Sequence, residues 1–103
     1  MVDTITHKPL KLMDRLRQKI RFKHYSLSTE RVYSQWVRQY ILFHDKQHPK
    51  DLGEQDIVRF LNYLANDRNV AASTQNQVLS ALVFLYKEVL EKELGDLGGF
   101  SYA

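Results

Sequence analysis

Residues that break helices are nearly missing from this chain, and their few positions constrain the fold more than anything else in it. Proline occurs only at Pro9 and Pro49, and glycine only at Gly53, Gly95, Gly98 and Gly99. Residues 10–48 and 54–94 therefore form two long stretches with neither. Within both, apolar residues return every third or fourth position, the spacing of one helix face, and nowhere does a strand-like alternation appear. There are no internal repeats and no low-complexity blocks. The reading is an all-α domain: a bundle of four helices with short loops.

The first helix is expected from about Leu10 to Lys23, with Met13, Leu16 and Ile20 as its apolar stripe and Lys11, Arg15 and Lys19 on another face. The second is expected from about Thr29 to His44, where Tyr33, Trp36, Val37, Tyr40, Ile41 and His44 follow helical spacing. Ser28 is read as its N-cap, with Leu27 and Val32 in the staple positions. The third is expected from about Glu54 to Asn66, with acids in its first turn. The fourth runs from about Thr74 to Lys92 behind an N-cap at Ser73, with Thr74 and Gln77 as a competing capping box. Its buried stripe is read as Leu79, Leu82, Val83, Tyr86, Val89 and Leu90. Trp36 is the largest core candidate. Residues 1–9 are expected to be a disordered lead and 95–103 a Gly-rich tail or the start of a linker.

The 103 residues suffice for one small domain, and the 44% apolar content allows it a core. Without cysteine the chain has no disulfide and no thiolate metal site, which fits a reducing compartment. No apolar run is long enough for a bilayer span, and Met1–His7 lacks a signal-peptide core, so a cytoplasmic protein with no membrane role is expected. Charge is unevenly spread. Residues 1–50 carry eleven Lys and Arg against four acids, a balance of +7, whereas residues 51–103 come to −4. A basic half of this kind suits a polyanion, and it equally suits an ordinary solvated face.

The chemistry of catalysis is not visible. His44 and His48 have a metal-like spacing, but Pro49 follows and no third ligand stands at a recognised distance, so neither a metal nor another cofactor is expected. The six tyrosines lack an evident neighbouring base, there is no Gly-rich phosphate loop, and no paired carboxylates appear. Two polar clusters are informative instead. Ser26, Ser28, Thr29 and Arg31 gather where the second helix should begin. Ser73, Thr74, Asn76, Gln77 and Ser80 gather where the fourth should begin. Capping accounts for one serine in each cluster. It does not account for the Gln75–Asn76–Gln77 run, and Asn, Gln and Arg side chains can pair with base edges in the major groove while a helix N-terminus attracts phosphate. The basic run Lys11, Arg15, Arg17, Lys19, Arg21 and Lys23 is a candidate phosphate-contacting face.

These residues carry a resemblance. Tyr25-Ser26-Leu27-Ser28-Thr29-Glu30, Tyr33, Trp36, Ile41, Phe43-His44 and His48-Pro49, followed by Phe60-Leu61, Leu64-Ala65, Val70, Ser73-Thr74-Gln75-Asn76-Gln77, Ala81-Leu82 and Phe84-Leu85-Tyr86, together resemble the N-terminal core-binding domain of integron integrases. The likeness runs in order over residues 10–94. Integron integrases are tyrosine recombinases, whose core-binding domains are SAM-like four-helix units. The resemblance implies a domain that grips one side of a recombination site, in duplex or folded single-stranded DNA, while a C-terminal catalytic domain grips the other. The whole enzyme would move gene cassettes by strand exchange, with further protomers assembled on the DNA, in the bacterial cytoplasm. By position it places Ser28, Thr29, Arg31, Ser73, Thr74, Asn76 and Gln77 at the major groove and Lys23 and His24 at phosphates. The family's catalytic arginines, lysine, histidines and nucleophilic tyrosine belong to the C-terminal domain, and Tyr102 does not match the nucleophile's context, so this fragment is expected to bind DNA without cutting it. A helical protein–protein interaction module is the alternative.

Overall fold

The computed structural model describes residues 8–95, with side chains from Lys11 onward. The expectations for the extreme N-terminal segment, for the tail from residue 96 and for Tyr102 lie outside the described residues. Four helices follow in order: α1 Lys8–Phe22, α2 Leu27–Phe43, α3 Glu54–Asn66 and α4 Ala72–Phe84. A 3₁₀ turn, Pro49–Asp51, precedes α3, and a π-helical turn, Leu85–Val89, extends α4. Among the described residues there are no strands. The all-α expectation holds, and the bounds of α3 match the sequence reading.

Helix ends follow local chemistry. α2 starts two residues earlier than expected because Ser26, not Ser28, is the N-cap: its Oγ accepts the Thr29 N–H at 3.1 Å. Leu27 is 69% exposed, so no hydrophobic staple forms. α3 opens after Gly53, whose N–H donates to the Asp56 carboxylate at 2.8 Å, half of a capping box. With only four glycines in the chain, helices end on other residues forced to positive φ. His24 (φ 63°) closes α1, where the Tyr25 N–H reaches the Ile20 carbonyl at 3.1 Å. Asp45 (φ 58°) closes α2, where the N–H of the next residue, Lys46, itself left-handed at φ 65°, reaches the Ile41 carbonyl at 2.8 Å. These six-to-one bonds are the Schellman pattern without its usual glycine.

α4 is the centre of the bundle, packed on both α2 and α3, while α1 lies against α2 and the π-helical turn. This corrects the stripe expected for the fourth helix. Val78, Ala81, Phe84 and Leu85 are buried, whereas Val83 and Leu90 are only partly so. A helix between two neighbours buries two faces, not one. In the π-helical turn the Leu90 N–H also bonds the Leu85 carbonyl at 2.9 Å, five residues back, which rotates the succeeding residues off the 3.6-residue register. Trp36 is half-buried; the largest fully buried side chains are Tyr40, Tyr86 and Phe60.

The two buried tyrosines solve a polar problem together. Tyr86 donates its hydroxyl to the Pro49 carbonyl at 2.7 Å. Its single proton is then committed, so the 3.0 Å contact between the Tyr40 and Tyr86 hydroxyls must be a donation from Tyr40. Burial pushes both phenols above their ordinary range, Tyr86 to about 12 and Tyr40 further, the latter also because it donates to its partner. His44 joins the same core. Its Nε2 lies 3.0 Å from the Asp56 carbonyl, and its ring meets Tyr40 and Phe43 edge-on.

Candidate nucleic-acid interface

At the start of α2, Ser26 does two jobs. It caps the Thr29 amide and donates its own proton to Thr29 Oγ1 at 3.0 Å. Ser28, relieved of the capping role the sequence suggested, sits exposed in the first turn. The connection from α1 is pinned beside it. Tyr25 meets Tyr33 edge-on, with ring centroids 6.4 Å apart, and tilts against Phe84 at 5.5 Å. Lys23 pairs with Glu88 of the π-helical turn at 3.3 Å.

α4 begins without a side-chain cap. Its N-cap is Ala71, so neither the expected Ser73 cap nor the Thr74–Gln77 box forms. Ser73 and Thr74 instead lie inside the first turn, where the amides of residues 72–74 have no intrahelical acceptor. An Ala at this position gives up about 1 kcal/mol relative to Ser or Asp. That leaves a helix N-terminus with its positive end unopposed. Ser73, Gln77 and Ser80 are all exposed at helical spacing and so share one face. Asn76 is partly buried beside them.

Gln75 departs from its neighbours. It is 6% exposed and its Nε2 donates to the Leu61 carbonyl of α3 at 3.1 Å. Part of the amide run that looked available for base reading is therefore core. The signal was present in the sequence, since Gln75 lies three and four residues before the buried Val78 and Leu79.

Of the two clusters, only Asn76 and Ser80 of the second line a groove on this side; Ser26, Ser28 and Thr29 do not line it. Tyr25 and Tyr33 from the α2 side line one open groove of about 460 Å³ with Asn76, Ser80 and Lys87 from the α4 side. Burial raises the Tyr33 phenol, Tyr25 adds to the shift, and the Ser80 hydroxyl partly offsets it. Ser26, beside Tyr25 in the chain, and the Lys23–His24 turn lie at the α1 end of this edge. Arg31 does not share the groove; it lines a different one with Arg17 and Arg38. Sequence reasoning missed Tyr25, Tyr33 and Lys87 as groove residues. Tyr33 sits on the helical stripe and reads as core, and only the packing of α2 on α4 leaves its edge outside.

The basic run on α1 is largely engaged within the fold. Arg15 donates to the Val89 carbonyl at 2.7 Å, capping the π-helical turn. Arg17 bonds Asp14 at 3.3 Å, and Arg21 grips Glu30 with two bonds of 2.8 and 3.0 Å. The same contact holds the Glu30 carboxyl below the usual range and lifts the Arg21 guanidinium. Lys19 lies over the Phe22 ring at 5.6 Å. On this face Arg15 and Arg21 each spend one or two donors within the fold while remaining exposed. Among the described residues no group of three or more His, Asp or Glu could hold a metal ion. Among them too, no helix is long and apolar enough to cross a membrane.

The family description "phage integrase, N-terminal SAM-like domain" matches residues 12–96, from the first core leucine of α1 through α4 and beyond. The chain belongs to that family. Two relatives named "Integrase/recombinase", from Escherichia coli and Pseudomonas aeruginosa, are each 48% identical over 85 residues, covering 82% of this chain and 25% of theirs. A relative from Sinorhizobium fredii is 31% identical over 84 residues, covering 80% of this chain and 26% of its own. The phage-integrase SAM-like domain described here thus spans about a quarter of the length of the curated relatives it matches. Its four-helix, strand-free architecture is that of the family.

Proposed function

We propose that this domain is the DNA-gripping core-binding unit of a tyrosine recombinase of the integron-integrase kind, and that residues 10–94 form the gripping unit. The parent enzyme would integrate and excise gene cassettes in the bacterial cytoplasm. A catalytic domain would follow a linker beginning near residue 95, and other protomers would assemble on the same DNA. The relatives' name, integrase/recombinase, agrees with that parent. One observation carries the reading: the uncapped start of α4 continues into an exposed polar face that runs into a groove lined also by Tyr25 and Tyr33. The open helix tip suits a phosphate. Ser73, Asn76, Gln77 and Ser80 suit base edges, and Ser26, Ser28 and Thr29 flank them. Lys23, paired with Glu88, and His24 would contact phosphates at the turn between α1 and α2.

A salt titration of DNA binding tests this. Affinity should fall on a log–log line with rising salt. Gln77→Ala should lower the ratio of specific to random binding by about 1–3 kcal/mol, the worth of one good base contact, with the salt slope unchanged. Equal loss on both DNAs would remove Gln77 from base reading. No binding at low salt would favour a protein-interaction module instead.

A further inference from the structure

A second groove, on the other flank of α2, has chemistry of its own. Arg31 and Arg38, seven residues apart and thus on one helix face, line an opening of about 360 Å³ together with Arg17 of α1. Ser34 stands between them in the wall, its hydroxyl oxygen shut from solvent and without a hydrogen-bond partner. The acid in the groove, Glu30, is already held by two bonds from Arg21 outside it. Asp14 answers Arg17 at 3.3 Å, but both Arg31 and Arg38 are exposed. Arg31 and Arg38, together with Arg17 held by Asp14, line a cleft whose own carboxylate, Glu30, is already bonded by Arg21. Planar guanidinium forks match phosphate oxygens in pairs.

We propose that this groove binds phosphate groups, separately from the α4 edge. Arg31 and Arg38 are about 10 Å apart along the helix axis. That spans about three nucleotides of one strand at about 3.4 Å each, which suits a run of phosphodiesters. The DNA-backbone source rests on the reading given above; the phosphate chemistry of the groove does not.

The test uses the Arg31→Gln, Arg38→Gln double variant, whose changes are exposed and leave the core intact. With the wild-type chain, inorganic phosphate should move the amide and guanidinium resonances of residues 31–38 to saturation, and the double variant should lose that response. In the DNA salt titration the variant's slope should be shallower by about 1.8, two contacts at about 0.9 each, while discrimination between site and random DNA stays the same. A changed slope identifies the DNA backbone as the source. An unchanged slope with saturable phosphate binding assigns the groove to a free phosphate or another phosphate ester. No saturable phosphate response together with an unchanged slope overturns the proposal. If the wild-type chain binds no DNA at all, the DNA-gripping reading falls and the phosphate titration alone decides this one.

Discussion

At the scale of single residues, the Tyr40–Tyr86–Pro49 chain sets the clearest expectations. Tyr86→Phe strands both the Pro49 carbonyl and the Tyr40 hydroxyl, and should cost about 1–3 kcal/mol in urea denaturation. Tyr40→Phe leaves the Tyr86 donation to Pro49 in place and should cost only about 0.5–1.5 kcal/mol. The two phenols also give a pH signature. Both are raised in the fold, so the native state favours the protonated form. Their contribution is fully present below the unfolded value near 10 and is lost as pH climbs through the folded value, which for Tyr86 is about 12. The melting temperature should fall above pH ~10, and less steeply in Tyr86→Phe. An identical alkaline fall in the variant would show that other groups cause it. Neither pairing nor rank in the core was legible beforehand. Helical spacing marks Tyr40 and Tyr86 as buried, but only the crossing of α2 and α4 brings the hydroxyls together, and it leaves the larger Trp36 near the rim.

Among the elements, the helix ends carry the predictions. Ala71→Asp supplies the missing α4 cap and should stabilise the domain by about 1 kcal/mol. The same carboxylate would occupy the helix tip where a phosphate is proposed to sit, so DNA affinity should fall by up to tenfold, about 1.4 kcal/mol. Gain in stability with loss of binding separates a functional vacancy from a merely poor cap; a gain in both would mean that the tip meets no phosphate. Lys46→Gly relieves a left-handed residue at the end of α2. It should add up to about 1 kcal/mol in thermal melts, the relief of about 1–2 kcal/mol set against glycine's extra chain entropy. The sequence located all four helices because proline and glycine stand only between or outside them. It misplaced the α2 cap because Ser26 and Ser28 compete there and local sequence does not rank one over the other, and the α4 cap because the helix opens at Ala71, ahead of the Ser73 that capping chemistry favours. It could not show the π-helical turn, which arises where α4 must satisfy α1 as well as α2 and α3.

At the level of the whole molecule, the uneven charge of the chain has a structural resolution. Much of the basic N-terminal half is folded onto acids and carbonyls: Arg15 on Val89, Arg21 on Glu30, Lys23 on Glu88. Arg15→Ala should accordingly lower stability by about 1–3 kcal/mol through the orphaned Val89 carbonyl. It should not reduce the salt slope of DNA binding, since one of its nitrogens is bonded to the Val89 carbonyl. The polar clusters were legible as candidates because amides and hydroxyls at a helix start exceed what capping requires. Which of them lie together was not, because it depends on the pairing of α2 with α4. That pairing unites Asn76 and Ser80 with Tyr25 and Tyr33, turns Gln75 inward and sends Arg31 to the opposite flank. The most direct test of a DNA-gripping edge is a map of backbone amide shifts on titrating the isotope-labelled chain with a recombination-site duplex at low salt. The edge requires the largest shifts at residues 23–29 and 72–80. Shifts concentrated on the outer face of α3, or none at all, would contradict it.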